Sequence, residues 1–277
     1  MEQNSLPLLL DPADLHSMMS TNSLPEKVCI VDLSNEDNYL AGHIEGAIHL
    51  PYQILVTTKP PAQGMLPSVE QLEKIFAYLN LTPETHFIVC DDEGGGWAGR
   101  FIWTLDMIGH AHYSYLDGGM IAWKSEGLPV TSDIPERTKV LSSEAIDIEL
   151  KPQPRILLSE LMGSCQQQDF KVWDARSPQE YHGERVVAAK AGHIPGAINC
   201  EWTSLMDRQR NFRIREDAAS YLMNLGFSKS QNIVTHCQTH HRSGFTYLVG
   251  KILGFNIRAY DGSWSEWGNH PDTPVEI

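Results

Sequence analysis

Several features that would suit a secreted, membrane-bound or nucleic-acid-binding protein are scarce in this sequence. Its five cysteines are scattered and form no CxxC pair, so neither a disulfide framework nor paired zinc ligands are predicted. No apolar run approaches the roughly 18 residues of a membrane-spanning helix. A formal net charge of -14 argues against binding to nucleic acid or to anionic membranes.

These absences predict a reduced, cytoplasmic protein. The amino-terminal segment has one short apolar run, Leu8–Leu10, without a preceding basic residue, so no signal peptide is expected. With 42% hydrophobic and 20% charged residues in 277 positions, the chain can bury ordinary cores and is long enough for two domains. Because the chain is acidic, an anionic substrate would have to be attracted by a local positive patch.

Two copies of one sequence plan make up most of the chain. The motif at 42–48 (GHIEGAI) returns at 192–198 (GHIPGAI), and Asp-Gly-Gly at 117–119 is echoed by Asp-Gly-Ser at 261–263. A spacing of roughly 145 residues is domain-sized and predicts a domain duplication. We therefore expect a first domain, a proline-containing linker and a second domain, at 1–135, 136–155 and 156–277.

Strand and helix patterns alternate within each copy. In the second copy, Ile233–Thr235 indicate a buried strand, and the pattern at 244–253 is typical of a helix that ends at Gly254. This alternation predicts an α/β fold with two tandem domains, each a mostly parallel sheet with helices on both faces. Parallel sheets bind ligands beyond the carboxyl ends of their strands, which is where Cys237 stands.

Cys237 is placed where the predicted strand is followed by a helix amino terminus. Free backbone N–H groups and the helix dipole favour an anion there, and two histidines and an arginine follow within the loop. These influences lower a thiol pKa, so we expect a reactive thiolate and not a structural core cysteine. The candidate substrate-binding or loop-forming residues that follow it are Gln238, Thr239, His240, His241, Arg242 and Ser243.

No metal or other cofactor is predicted for this loop. A zinc site made from His236, Cys237, His240 and His241 would crowd its ligands into one short segment, with no second ligand pair elsewhere. The glycines at 94–96 follow acidic residues and precede no Gly-Lys-Ser/Thr, so they do not indicate a phosphate-binding loop.

The first copy lacks the chemistry of the Cys237 loop. Aligning Ile88-Val89 with Ile233-Val234 puts Asp92 at the position of the cysteine, within an acidic run. A carboxylate cannot act as a sulfur nucleophile, and negative charges there would repel an anionic substrate. The first domain is therefore predicted to be catalytically inactive, with a scaffold or interface role.

The tandem copies, the GHI-x-GAI motif in both and the single loop cysteine resemble the rhodanese family over nearly the whole chain. The loop at 237–242 (CQTHHR) is similar to that of bacterial two-domain thiosulfate:cyanide sulfurtransferases. The resemblance implies that Cys237 takes the outer sulfur of thiosulfate, releases sulfite and holds a persulfide until cyanide or another thiophilic acceptor removes it. The implied partners are a small anionic sulfur donor and a thiophilic acceptor, with a sulfur-accepting protein as a further candidate.

Three residues near a neighbouring strand end are candidate supporting residues. Asp174 and Arg176 fit either an ion pair that fixes the loop or a direct role. Glu180 stands where some family members carry an arginine, and the loop has no lysine. Either the histidines compensate for these missing cations, or the physiological donor differs from thiosulfate. Arg242 is the candidate for orienting the loop or the donor anion.

Three other functions stay open. A 3-mercaptopyruvate sulfurtransferase would usually carry a shorter loop rich in glycine and serine. A sulfur-carrier or interaction module would pass its persulfide to a protein partner, with little turnover of small molecules. A cysteine phosphatase would need its arginine one residue later, where Ser243 stands, so the loop is one residue short for phosphate.

Overall fold

The chain forms two compact units in a computed structural model, which describes residues 6–135, 147–165 and 167–277. Each unit includes a short segment from the other half of the sequence. Residues 136–146 of the predicted linker lie outside the described residues. The first unit comprises Met1–Leu55, Pro67–Leu150 and Asp207–Arg213, and the second comprises Val56–Leu66, Lys151–Met206 and Ile214–Ile277.

The first half of the chain supplies seven strands and five α-helices among the described residues. Five of the strands form one parallel sheet in the order β1-β7-β6-β2-β3. The elements are β1 (Leu9–Leu10), α1 (Pro12–Ser20), β2 (Val28–Asp32), α2 (Glu36–Ala41), β3 (Ile48–His49), β4 (Thr57–Lys59), β5 (Ala62–Met65), α3 (Val69–Tyr78), β6 (His86–Cys90), α4 (Gly96–Met107), β7 (Tyr113–Leu116) and α5 (Gly119–Ser125).

The second half repeats this plan with a four-stranded parallel sheet in the order β13-β12-β8-β9. The predicted α/β fold with mostly parallel sheets is thereby confirmed. The elements are α6 (Leu158–Ser164), β8 (Phe170–Asp174), α7 (Pro178–Tyr181), β9 (Ile198–Asn199), β10 (Met206–Asp207), β11 (Arg213–Ile214), α8 (Ala218–Asn224), β12 (Asn232–His236), α9 (Arg242–Ile252), β13 (Asn256–Ala259) and α10 (Ser263–Trp267).

Strand β12 lies inside the second sheet, between β8 and β13. Its residues 233–236 are all buried, as expected of a strand covered on both faces. Val234 packs in a core with Val172, Ile194 and Trp264. This packing fixes the carboxyl end of β12, and so the place from which the following loop starts.

The secondary structure around the predicted site agrees with the sequence patterns within two residues. The strand expected at 233–235 extends over Asn232–His236, and the helix expected at 244–253 begins earlier, at Arg242. Such shifts are common at element ends, where hydrogen bonding and apolar pattern do not coincide. Among the described helices, none is long and apolar enough to cross a membrane.

Candidate active site

Cys237 is the first residue after β12, and α9, a helix of 11 residues, begins at Arg242. The side chain is almost fully buried. Its backbone N–H donates to Ser263 Oγ at 3.4 Å, and its carbonyl accepts from the Trp264 N–H at 2.9 Å. The start of α10 therefore holds the loop in place on both sides of the Cys237 peptide.

The surroundings of Cys237 favour a thiolate. Burial raises the pKa of its thiol, but the Arg242 charge, the Ser243 hydroxyl and the backbone N–H groups of Ser243 and Thr239 lower it by more, so the net pKa lies below the ordinary value. A buried sulfur with these donors and a cation has the character of a catalytic thiol.

The other four cysteines have the opposite character, although all five are free. Burial raises the pKa of Cys29 and of Cys200 to about 12. Burial also raises the pKa of Cys90 and Cys165. At neutral pH these thiols stay protonated, so Cys237 is the cysteine from which nucleophilic attack is expected.

His240 is hydrogen-bonded to Ser243, which is one of the residues that lower the pKa of the Cys237 thiol. His240 adopts φ 56°, in the left-handed region that non-glycine residues rarely occupy, and its ring is fully buried. Its Nδ1 lies 2.8 Å from Ser243 Oγ. The unusual backbone of His240 thus places an imidazole where it orients Ser243.

The remaining loop residues form the edge of the site. Gln238 Nε2 donates to the Val187 carbonyl at 3.4 Å. The His241 ring lies 5.5 Å from that of Trp202 and is partly exposed. Thr239 is also partly exposed, and its backbone N–H is one of the groups that lower the pKa of the Cys237 thiol.

Arg242 is held by Glu180, the residue that the sequence marks as a departure from some family members. Its Nη1 and Nη2 donate to the two Glu180 oxygens at 2.6 and 2.9 Å. Burial raises the pKa of Glu180, but Arg242 and Ser177 lower it by more, to about 2. The bidentate pair keeps a cation beside the Cys237 sulfur, which also raises the pKa of Arg242 despite its burial.

Asp174 and Arg176 form a fully buried ion pair at 2.6 Å. The Arg176 guanidinium also lies 4.2 Å from the Trp264 ring and donates to the Gly192 carbonyl. His236 Nε2 lies 3.6 Å from Asp174, and burial lowers the pKa of His236 to about 4, so this ring is neutral at pH 7. Of the two roles that the sequence leaves open, the geometry favours an ion pair that fixes the strand ends beside the loop.

The matching loop of the first unit begins at Asp91, not at the Asp92 that the sequence alignment puts opposite the cysteine. Asp32 pairs with Cys90 in the first sheet as Asp174 pairs with His236 in the second. The residue that follows Cys90 is therefore the counterpart of Cys237.

A second contact gives the same register. The Asp91 carbonyl accepts the Met120 N–H, as the Cys237 carbonyl accepts that of Trp264. In the structure, buried Thr235 is the counterpart of Val89, where the sequence alignment puts Val234. The sequence alignment is wrong by one residue because apolar or β-branched residues fill successive strand positions and several registers match equally well.

The Asp91 carboxylate occupies the ring of N–H groups in its own loop. Its Oδ1 accepts from the backbone of Glu93, Gly94 and Gly95 at 3.2, 3.1 and 2.8 Å. Its Oδ2 accepts from the Ala98 N–H at 3.0 Å. A side chain of the protein itself therefore already satisfies these donors.

Ser263 and Ser265, which the sequence does not identify as site residues, bond the Cys237 loop directly. Ser263 Oγ accepts the Cys237 N–H, and the Ser265 N–H donates to the Gln238 carbonyl at 3.0 Å. The signal available in the sequence is the repeated Asp-Gly-Gly or Asp-Gly-Ser before a tryptophan. That signal indicates duplication, but not contact with the catalytic loop.

In the described ranges, no group of three or more His, Cys, Asp or Glu side chains is arranged to hold a metal ion. His236, one of the conceivable zinc ligands at this loop, lies instead beside Asp174 in the buried ion-pair cluster.

The chain is similar to known proteins over most or nearly all of its length. A thiosulfate sulfurtransferase of Azotobacter vinelandii is 49% identical over 274 residues, covering 99% of this chain and 98% of the relative. One from Pseudomonas aeruginosa is 47% identical over 275 residues, with the same coverage. The sulfur carrier protein TtuD of Thermus thermophilus is 30% identical over 247 residues, covering 86% of each chain.

Solved structures with low sequence identity share the fold. The anaerobic ergothioneine biosynthesis enzyme from Chlorobium limicola superposes with a TM-score of 0.81 at 20% identity, covering 98% of this chain and 70% of that one. Two segments of the chain, 11–126 and 157–270, match the rhodanese-like domain family. With both halves matched and full-length relatives close to half identical, the chain belongs to the rhodanese family as a tandem-domain member.

Proposed function

We propose that this protein is a thiosulfate sulfurtransferase that moves sulfane sulfur to cyanide or another thiophilic acceptor through a persulfide on Cys237. The observation that carries the proposal is the contrast among its thiols. The Cys237 pKa is lowered by surrounding donors and a cation, whereas burial raises that of the other four. The names of the relatives from Azotobacter vinelandii and Pseudomonas aeruginosa support the choice of donor.

The proposed cycle has two displacement steps at sulfur. The Cys237 thiolate attacks the outer sulfur of thiosulfate, the sulfur–sulfur bond of the donor breaks, and its electron pair leaves with sulfite. Cyanide then attacks the terminal sulfur of the persulfide, and thiocyanate leaves. The electron pair of the broken bond returns to Cys237, so the enzyme ends in its starting state without a separate oxidant or reductant.

The loop supports both steps through fixed donors. The N–H groups of Thr239 and Ser243 and the Ser243 hydroxyl lower the pKa of the Cys237 thiol, and they would stabilise the negative charge that each step develops on the sulfur. Arg242 lowers the pKa of the attacking thiol and attracts the anionic donor. In this proposal Gln238, His240 and His241 complete the loop, and Asp174, Arg176 and Glu180 support it.

A sulfur-carrier function is the second candidate. The relative from Thermus thermophilus that bears this name matches 86% of the chain. Its persulfide chemistry would be the same, but a thiol of a protein partner would take the sulfur. Slow turnover with cyanide, combined with rapid transfer to a protein thiol, would favour this function. The CQTHHR loop fits a 3-mercaptopyruvate sulfurtransferase or a phosphatase less well than it fits a thiosulfate sulfurtransferase or a sulfur carrier.

We extend the proposal to organisation and compartment. We propose an inactive first domain at 1–135, a linker at 136–155 and a catalytic domain at 156–277, because Asp91 stands where Cys237 would be needed. A reducing compartment such as the cytoplasm is proposed because all five cysteines are free.

Mass spectrometry of the intact protein tests the proposal. Thiosulfate treatment is expected to add about 32 Da, one sulfur atom on a nucleophilic cysteine, and cyanide is expected to remove it. Cys237→Ser should gain no sulfur and keep its fold by circular dichroism. Cys29→Ser, at a cysteine with a raised pKa, is the matched control and should behave like the wild type. Uptake of sulfur by Cys237→Ser, or failure of Cys29→Ser to take up sulfur, would contradict the assignment.

A further inference from the structure

A β-hairpin from early in the sequence packs against the candidate catalytic loop. Strands β4 and β5 pair antiparallel, with Thr57 opposite Met65 and Lys59 opposite Ala62. Residues Val56–Leu66, which contain this hairpin, group with the second unit, as does the whole Cys237 loop. The hairpin therefore lies in the same compact unit as the proposed nucleophile.

Gly64 provides the closest approach between the hairpin and the loop. A Cβ at this position would overlap the Thr239 carbonyl oxygen, lying 2.5 Å from its carbonyl carbon and 2.8 Å from its Cα. Carbon atoms in contact normally lie about 3.5–4.0 Å apart, so even a methyl group cannot fit without moving one backbone from the other. The absence of a side chain at Gly64 thus sets the position of the Thr239 peptide.

Ser265 joins the hairpin and the loop through two different atoms. Its Oγ accepts the Gln63 N–H at 3.2 Å, and its own N–H donates to the Gln238 carbonyl at 3.0 Å. One residue of α10 therefore holds the residue before Gly64 and the residue before Thr239 at the same time.

Asp261 is hydrogen-bonded to the end of the hairpin. Its Oδ2 accepts the Leu66 N–H at 2.9 Å, and its Oδ1 accepts from Arg155 Nε at 2.8 Å. Asp261 is 1% exposed, so water competes little for these bonds. The hairpin is thus fixed on both sides of Gly64, and the contact with Thr239 does not depend on Gly64 alone.

We propose that the β4–β5 hairpin is a wall of the catalytic loop, and that Gly64 is a positioning residue that places the Thr239 peptide in the donor ring around the Cys237 sulfur. The inference rests on the proposed function for its catalytic meaning. The mechanical part, that Gly64 sets the environment of the thiol, stands on the backbone contact and on the bonds of Ser265.

The consequence for chemistry follows from the position of Thr239. Its backbone N–H is one of the groups that lower the pKa of the Cys237 thiol. If the hairpin pushes the Thr239 carbonyl and Cα away, the N–H of the same residue moves with them, the thiolate loses this stabilising group and the thiol titrates at higher pH. Persulfide formation then slows, because less thiolate is present at neutral pH and the ring around the accepted sulfur is incomplete.

Gly64→Ala tests the proposal, with Gly163→Ala as the matched control. Gly163 lies in α6 of the same unit, where an added Cβ meets nothing within 4 Å. The main measurement is the rate of Cys237 alkylation by iodoacetamide against pH, followed by mass spectrometry of the loop peptide. We expect Gly64→Ala to raise the midpoint of alkylation by about one pH unit, which means about tenfold less thiolate at any pH below the midpoint. Gly163→Ala should leave the midpoint unchanged.

Persulfide formation from thiosulfate is measured on the same samples and is expected to fall about tenfold or more in Gly64→Ala. If the alkylation profile and sulfur uptake of Gly64→Ala equal those of the wild type, the proposal is wrong. If the wild type takes up no sulfur, the proposed function fails. The alkylation comparison would still decide whether Gly64 sets the thiol environment.

Ser265→Ala covers the case in which Gly64→Ala does not fold. This change removes the acceptor of the Gln63 N–H but keeps the backbone bond from residue 265 to Gln238. We expect a smaller rise of the alkylation midpoint, in the same direction. Ser220→Ala, at an exposed position of α8, is the control and should show no rise. An unchanged midpoint in Ser265→Ala would overturn the role of the hairpin.

Discussion

The loops that begin at Asp91 and Cys237 follow equivalent strands and lead into equivalent helices, α4 and α9. They differ in the group that each loop encloses. In the first unit the loop encloses the Asp91 carboxyl group, which accepts four backbone N–H groups. In the second it encloses a single sulfur, and Thr239 and Ser243 lower the pKa of its thiol. One backbone design therefore gives a self-satisfied anion site in one copy and a reactive thiolate in the other.

The cations around the two loops differ as much as the anions. The second unit has Arg242 at the first position of α9, where the first unit has Gly96 at the start of α4. Arg176 neutralises Asp174, whereas the equivalent Asp32 has Ser34 two residues later. Burial accordingly raises the pKa of Asp32, while His236 and Arg176 outweigh burial and lower that of Asp174. We therefore expect activity to need a surrounding set of charges as well as a cysteine.

The largest expected effect comes from moving the thiol between the loops. The double variant Asp91→Cys, Cys237→Ser should lose at least about a thousandfold in sulfur transfer, because a nucleophile has been removed and its replacement is followed by Gly96, not by an arginine, at the helix start. Steady-state turnover and intact mass after thiosulfate treatment measure this. Asp91→Cys alone is the control and should keep wild-type turnover. Sulfur uptake at position 91 of the double variant would show that backbone geometry alone creates the activity.

The second effect concerns Arg242. Removing a charge-assisted contact to an anion costs roughly 1.5–3 kcal/mol, so Arg242→Ala should slow the thiosulfate half-reaction about tenfold to a hundredfold. Reaction of preformed persulfide with cyanide should change less. Stopped-flow measurements of the two half-reactions separate these rates. Arg258→Ala, which breaks an exposed pair with Glu160, is the matched control. Equal losses in both half-reactions would mean that Arg242 only holds the loop.

A smaller effect is expected at Glu180, which holds Arg242. Glu180→Gln keeps one acceptor and removes the charge, so the guanidinium is freer to move but stays near the sulfur. We expect a loss of about threefold to tenfold in the thiosulfate half-reaction, less than for Arg242→Ala. Glu160→Gln is the control for loss of a surface pair. A larger loss in Glu180→Gln than in Arg242→Ala would indicate that Glu180 has a role of its own.

These comparisons also show what the sequence could predict. The α/β class, the duplication and the strand–Cys237–helix arrangement follow from local patterns and from a repeated motif. The Asp91 register did not, because apolar matching cannot distinguish neighbouring β-branched positions in a strand. The pairing of Arg242 with Glu180 and the bonds of Ser263 and Ser265 to the loop join distant parts of the chain. Such contacts depend on tertiary packing, which local patterns do not encode.

The smallest expected effect is a difference between the two units in how their stability depends on pH. Burial and the Glu93 charge raise the pKa of Asp91 to about 7, although four N–H groups bond its ionised form. A raised carboxyl pKa stabilises the fold at low pH, and this contribution is lost as pH rises from about 4 through 7. Glu180, with a pKa lowered to about 2, has the opposite sign: its contribution is present above about 4.5 and is lost as pH falls towards 2.

Local hydrogen exchange in peptides covering α4 and α9 can distinguish these signs. Between pH 5 and 8, after correction for intrinsic exchange, the opening free energy of α4 should fall with a slope of at most about 1.4 kcal/mol per pH unit. That of α9 should rise instead, because the lowered pKa values of His236 and Cys237 have the opposite sign. Asp91→Asn should flatten the α4 profile whatever its effect on absolute stability, because the titrating group is gone. Asp14→Asn, at an exposed position of α1, should leave the slope unchanged. A slope that survives in Asp91→Asn would mean that another group of the first unit, and not the carboxylate inside its N–H ring, carries the pH dependence.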